Sequence, residues 1–317
     1  MVLDPEARAL LDELRRTEDK FVPGRPGFDL IGTRREQRAQ SIVRARARPP
    51  VPLARATDLD VDGIRCRLLA PRRRAPVILY IHGGGWTLGS PEESEPLCRE
   101  VTFYSGWATV LPDYRLAPEY PYPAALDDID RVLAWLRAQG DALDLDTSLM
   151  AVAGDSAGAN LAAATALRAR DRGESRFSFQ ILLCPALDLV GEFPSRREFA
   201  SGFGLEPETM SWSLTAYTPD PAVRARSDVS PLRAASLAGL PPTLIATAEH
   251  DPLRDEGEAY AARLADAGVP VTAIRHLGAL HFFTDPTRFK AASALADQVA
   301  GALRRMSDRR ETSDTDE

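Results

Sequence analysis

The stretch Met150-Ala-Val-Ala-Gly-Asp-Ser-Ala-Gly158 constrains this chain more than any other. A short apolar run stops abruptly at a serine held between two glycines, Gly154-Asp155-Ser156-Ala157-Gly158. A Gly-x-Ser-x-Gly pattern in that setting reads as a buried strand turning sharply into a helix, with the serine strained at the bend and its hydroxyl pushed out above a sheet. The flanking glycines let the neighbouring backbone approach closely. Taken alone, the same residues also describe a glycine-rich turn with an incidental serine. The nucleophile reading therefore depends on whether the chain supplies a base, an acid and donors for an oxyanion.

The strand before such an elbow needs neighbours. Residues 76–82 form a continuous β-branched run, the mark of a strand covered on both faces. Comparable runs follow at 107–111, 149–153, 179–183, 243–247 and 271–276. Helical patterns lie between and after them at 123–139, 157–170, 254–267 and 286–306, the first with Ala125, Ile129, Val132, Leu133 and Leu136 on one stripe. Strands alternating with helices predict a mostly parallel sheet wrapped on both sides. Upstream, residues 54–70 alternate about Asp62-Gly63, which is a hairpin signal.

Two segments do not fit the sheet. Residues 1–48 read as two charged amphipathic helices, 4–17 and 32–48, broken by Phe21-Val-Pro-Gly-Arg-Pro-Gly27. Residues 191–226 carry bulky side chains, including Phe203 and Trp212, with little strand pattern, and read as a helical lid. The division is then cap helices at 1–48, core at 49–190, cap insertion at 191–226, core again at 227–306, and a polar tail at 307–317 expected to be disordered.

Composition excludes some functions. The net charge of −7 argues against nucleic acid, and the arginines between Arg34 and Arg48 read as a solvated helix face. No apolar run approaches the roughly 20 residues needed to span a bilayer, and the N-terminus shows no basic-then-apolar leader, so a cytoplasmic location without membrane insertion is the default expectation. Cys66, Cys98 and Cys184 have neither paired spacing nor an even count, and give no disulfide framework and no zinc site.

A serine hydroxyl needs a histidine to take its proton, and the histidine needs a carboxylate to fix its tautomer. Of the four histidines, His281 alone sits in a short loop between the last strand and the last helix, which opens at the same carboxyl edge as the elbow. The loop after residues 243–247 offers Glu249, Asp251 and Asp255. Asp251 stands just past the strand end and is assigned as the acid, although Asp251-Pro252 also reads as a helix cap. The order Ser156, Asp251, His281 is that of the α/β hydrolases. His82-Gly83-Gly84-Gly85-Trp86 follows a strand and lets backbone N–H groups face a substrate, which suits an oxyanion site. His82 is read as pinning that loop, and no Gly-Lys-Ser/Thr context supports phosphate binding.

Four motifs in this order resemble the hormone-sensitive-lipase-like family of bacterial carboxylesterases: His82-Gly-Gly-Gly85, Asp113-Tyr-Arg-Leu-Ala-Pro-Glu119, Gly154-Asp-Ser-Ala-Gly158 and Asp251-Pro-Leu-Arg-Asp-Glu256. The resemblance spans about residues 50–285. It implies an α/β-hydrolase core with a helical cap from the N-terminal segment and the insertion. It also implies oxyanion donors at Gly84, Gly85 and Ala157, supporting roles for His82, Gly83 and Asp155, and structural roles for Asp113, Tyr114, Arg115 and Glu119. The reaction implied is hydrolysis of short- to medium-chain acyl esters, small-molecule substrates, with neither metal nor cofactor. Trp86, Phe203, Trp212 and Phe282 are the pocket candidates, and a homodimer paired through an edge strand or the last helix fits the family.

Three positions depart from the family pattern: Ala159 where a second glycine is common, Phe282 where the histidine is commonly followed by glycine, and Cys184 where tyrosine is common. Two alternatives remain open. An amidase or N-/O-deacetylase would use the same triad, and a non-catalytic receptor, as the plant gibberellin receptors resemble this family, could dispense with His281.

Overall fold

The computed structural model describes residues 2–17, 27–49, 51–174 and 177–315, with side chains to Asp308. Helix α1 (Pro5–Thr17) and helix α2 (Leu30–Arg46) come first. Asp29 caps α2 by accepting from the Gly32 N–H at 2.8 Å. The break expected at 21–27 lies, apart from Gly27, outside the described residues.

Strands β1 (Arg55–Val61) and β2 (Ile64–Ala70) form the expected hairpin, with Asp62 and Gly63 both at positive φ. Then follow β3 (Ala75–Ile81), α3 (Pro91–Ser105), β4 (Ala108–Pro112), α4 (Ala124–Gln139), β5 (Leu145–Asp155), α5 (Ala157–Asp171) and β6 (Phe179–Leu183). The insertion carries α6 (Pro194–Glu198) and α7 (Pro207–Tyr217), and the chain ends with β7 (Thr243–His250), α8 (Arg254–Asp266), β8 (Val271–Leu280) and α9 (Lys290–Thr315). The strands build one eight-stranded sheet in the order β1-β2-β4-β3-β5-β6-β7-β8, antiparallel only at its first two pairings.

The sheet is buried because its side chains alternate between two apolar cores. On β3, Val77, Leu79 and Ile81 face the core shared with α4, α5 and α8, while Ile78 and Tyr80 face the core shared with α3 and α9. A third apolar cluster joins α1, through Ala7, Leu10 and Leu11, to Leu280, Phe289 and Ala292. No helix among the described residues is long and apolar enough to cross a membrane.

Three differences from the sequence reading have physical causes. Helix α3 is absent from it because Pro96 and four glutamates obscure the apolar stripe. Its start was nonetheless signalled by Ser90, Pro91 and first-turn Glu92 and Glu93, and its end by Gly106 at φ 77°. Helix α9 continues to Thr315 through the tail expected to be disordered, since no glycine or proline follows Gly301 to stop it. Strand β8 runs on to Leu280, past the end expected at His276, because a register shift between Ala248 and His250 lets it keep pairing with β7.

Candidate active site

The elbow is built by close approach. At Ser156 the backbone adopts φ 54° and ψ −119°, a conformation disfavoured for a residue with a side chain. It is held there by a hydrogen bond of 2.8 Å from the Ser156 N–H to the Leu183 carbonyl. A methyl on Gly158 would run into the Ile81 and His82 carbonyls, and one on Gly154 would meet Gly158 and Ile81. Both glycines are therefore required if α5 is to start this close to β3 and β5. Helix α5 begins at Ala157, so its unpaired N–H groups and positive dipole end lie at Ser156.

His281 is the first residue beyond β8 and is 5% exposed. Its Nε2 lies 2.9 Å from Ser156 Oγ, and its Nδ1 lies 2.8 Å from Asp251 Oδ2. Asp251, fully buried, follows β7, and its other oxygen accepts from the Leu253 N–H at 2.8 Å. The helix-cap reading of Asp251 thus becomes a tight turn that fixes the carboxylate before α8 begins. The rival acids are engaged elsewhere: Glu249 accepts from the Gly278 N–H at 2.7 Å, and Asp255 from the Ser195 N–H at 2.8 Å.

Burial by itself pulls the His281 imidazolium down, but the charge and hydrogen bond of Asp251 more than reverse this, and its pKa stands above the ordinary histidine value. Ser156, His281 and Asp251, far apart in sequence, form one continuous hydrogen-bonded chain.

The glycine loop follows β3, beside the elbow. Gly84 and Gly85 have φ of 111° and 60°, and among the described residues the amide groups of Gly84, Gly85 and Ala157 donate to no protein acceptor. Asp155 ties the loop to the elbow, its Oδ1 accepting from the Gly83 N–H at 3.1 Å and from the Tyr80 hydroxyl at 2.9 Å. His82 is buried, stacked on Tyr114 with ring centroids 4.3 Å apart, and its Nδ1 lies 2.8 Å from the Gly83 carbonyl. Burial holds the His82 pKa below the ordinary histidine value. The Tyr114 hydroxyl donates to the His82 carbonyl at 2.9 Å, while Arg115 is paired with buried Asp128 at 2.8 Å. Asp113 is paired with Arg65 at 2.8 Å.

The basic stripe of α2 is not a solvated face. Arg34 donates from Nε to the Thr87 carbonyl at 2.7 Å and from Nη2 to the Ala117 carbonyl at 2.7 Å. It also grips Glu119 with both ends of its guanidinium, at 2.8 and 2.9 Å. Arg38 reaches Glu92 and Arg48 reaches buried Glu100. With Ser41 its only buried residue, α2 is held by these pairs rather than by apolar burial.

The aromatic pocket candidates divide. Phe282 stands edge-on to His281 at 5.4 Å and packs in the cluster that contains Leu14 of α1 and Phe203. Phe203 turns toward Phe199 and His250, and Trp212 packs edge-on against Phe28 at 5.9 Å. Trp86 is 6% exposed and lies flat on Tyr217 at 4.6 Å, as a wedge in the main core rather than an open wall. Arg34, Tyr80 and Ser213 are contributors that the sequence reading missed. Ser213 sits so close above Gly85 that a methyl there would lie 2.9 Å from its hydroxyl.

A sheet of this topology with serine, histidine and aspartate joined at its carboxyl edge is the construction of the α/β hydrolases. A family model described as the alpha/beta hydrolase fold matches residues 78–285, and the chain belongs to that family, as a serine hydrolase of its hormone-sensitive-lipase-like branch. It is 37% identical over 290 residues to the carboxylic ester hydrolase LipN of Mycobacterium tuberculosis, covering 87% of this chain and 76% of that one. It is 32% identical to the ethyl acetate hydrolase of Pseudomonas putida, with 89% of this chain and 92% of that one covered. The solved structure of a hyperthermophilic esterase from the archaeon Pyrobaculum calidifontis superimposes with a TM-score of 0.90 at 37% identity, covering 97% of this chain and 99% of that one.

Proposed function

We propose that the chain is a carboxylesterase that cleaves short- to medium-chain acyl esters through an acyl-enzyme on Ser156. The observation that carries this reading is the unbroken hydrogen-bond chain from Ser156 Oγ through His281 to Asp251, together with the Gly84, Gly85 and Ala157 amides that have no acceptor among the described residues. Ser156 Oγ attacks the ester carbonyl as its proton passes to His281 Nε2. The oxyanion is received by the N–H groups of Gly84, Gly85 and Ala157, at the positive end of α5. Imidazolium then gives its proton to the departing alkoxide, and Asp251 stabilises the positive ring without taking a proton itself. Water, activated by the neutral imidazole, repeats the sequence on the acyl-enzyme and releases the acid.

In this reading residues 1–48 and 191–226 act as the cap. Helix α1 covers the His281 loop through Leu14 and Phe282, and α7 stands over the oxyanion loop through Ser213. Phe282 bounds the pocket beside the imidazole and limits the size of the group accepted there. A relative that acts on ethyl acetate supports a small ester as substrate. A receptor on this fold has no use for a histidine whose two nitrogens are committed to a serine and an aspartate.

The test is hydrolysis of chromogenic esters of increasing acyl length, with matched amides alongside, by the wild type and Ser156→Ala. Activity confined to the shorter esters and abolished by the substitution is expected. Hydrolysis that survives Ser156→Ala would refute the assignment, and faster amide cleavage would move the reading to an amidase.

A further inference from the structure

Cys184 stands beside Asp251 and His281, and ester hydrolysis leaves it without a task. It is the first residue past β6, with φ at 37° and its N–H donating to the Ala246 carbonyl at 2.7 Å. This turn aims its side chain at the triad acid. Its thiol is free and buried, and its Sγ, a carboxylate oxygen of Asp251 and a ring nitrogen of His281 lie within 4.8 Å of one another. Thiolate, imidazole and carboxylate together are a donor set suited to a soft or borderline divalent cation.

We propose that Cys184, Asp251 and His281 form a binding site for a thiophilic divalent cation such as Zn2+, and that the cation arrests catalysis from inside the triad. The three donor atoms, already within 4.8 Å of one another, need to draw only somewhat closer to share one ion. With metal–sulfur bonds of about 2.3 Å and metal–nitrogen and metal–oxygen bonds of about 2.0–2.2 Å, ligand atoms on one ion stand roughly 3–4 Å apart. The His281 Nδ1 and Asp251 Oδ2 pair is already at 2.8 Å. Charge also balances, because one thiolate and one carboxylate neutralise a dication in a buried site. Binding forms metal–sulfur, metal–nitrogen and metal–oxygen bonds. The thiol proton leaves to solvent, the imidazole proton moves from Nδ1 to Nε2, and no electron is transferred. Nε2 then has no lone pair with which to accept the Ser156 proton, so the nucleophile stays a hydroxyl.

Binding rests on the geometry alone, and only the loss of activity rests on the proposed reaction, so the two are measured separately. Co2+ is titrated into the purified full-length protein and the thiolate-to-cobalt charge-transfer absorption is followed. The expected result is a saturable band in the wild type that is absent in Cys184→Ala and in the near-isosteric Cys184→Ser, the second variant covering a failure of the first to fold. A wild type without the band overturns the proposal whether or not the protein hydrolyses esters. In the second measurement ZnCl2 is titrated against hydrolysis of a short-acyl chromogenic ester, each variant scored against its own uninhibited rate. The wild type is expected to be inhibited and restored by EDTA. Cys184→Ala is expected to need at least about tenfold more Zn2+, since even the loss of a partner outside the ligand set typically costs 10–100-fold. Equal sensitivity of the wild type and Cys184→Ala would overturn it.

Discussion

Ser156 shows at the smallest scale what the site costs and how it is held. Its φ of 54° with ψ of −119° is a glycine-like conformation carried by a residue with a Cβ, a strain worth of order 1–3 kcal/mol. Ser156→Gly is therefore expected to be inactive yet more stable than Ser156→Ala by about 1 kcal/mol, as read by chemical denaturation. An equal or lower midpoint would show that the elbow is unstrained. His281 sets the pH response. As its folded pKa lies above the ordinary 6.5, kcat/KM should rise with pH through an inflection above that value, as the imidazole becomes neutral and able to act as base. The sign for stability is opposite: the Asp251–imidazolium pair stabilises the fold fully below 6.5, and this contribution is lost as pH rises through the raised pKa. An inflection below 6.5 would mean that burial, not Asp251, dominates at the histidine. Of the three departures from the family pattern, Ala159 is fully buried in the main core. Phe282 and Cys184 stand beside the triad.

At the level of elements, α2 is where the sequence pattern was least informative. A run of arginines on a charged helix looks the same whether it faces water or backbone carbonyls, because local composition does not record what lies opposite. The Arg34 guanidinium satisfies the carbonyls of Thr87 and Ala117, and the intervening turn is closed by bonds from Thr87 and Leu88 to the Gly84 carbonyl. In the proposed mechanism Arg34 is thus a positioning residue for the oxyanion donors. Arg34→Ala should lower kcat by about ten- to a hundredfold with a smaller change in KM, short of the 10²–10³ lost when a donor itself is removed. Arg34→Lys, which keeps the charge but not the fork, should recover only part of it. If KM alone changed, α2 would serve substrate binding and not the loop. The last strand shows the same limit. A run at 271–276 predicts β8, but its true end at Leu280, and hence the position of His281, depends on a register shift in its neighbour β7.

Across the whole molecule, the parallel sheet and its helices were legible because each strand buried on both faces leaves a continuous apolar run, and each covering helix leaves a stripe. What binds the pieces together was not. Asn160, buried in α5 one turn past the nucleophile, donates to the carbonyls of Ala186 at 2.8 Å and Val229 at 2.9 Å, joining the elbow helix to the chain on either side of the insertion. Asn160→Ala would leave both carbonyls unpaired in the interior and should cost about 1–3 kcal/mol in denaturant unfolding. A change within a few tenths of a kcal/mol would show that water replaces the amide. The sequence by itself carried the signals for the proposed chemistry: a serine between glycines at a strand end, a glycine loop after another, and an aspartate and histidine in the order of the α/β hydrolases. These are local signals, written within a few residues by backbone sterics and by the period of burial. Only the tertiary structure decided that Arg34 of α2 bonds to the Thr87 and Ala117 carbonyls, that Trp86 is a core wedge, and that Cys184 stands against Asp251 and His281. Each of those is a contact between residues many positions apart, and a contact of that kind leaves no periodicity in the chain that makes it.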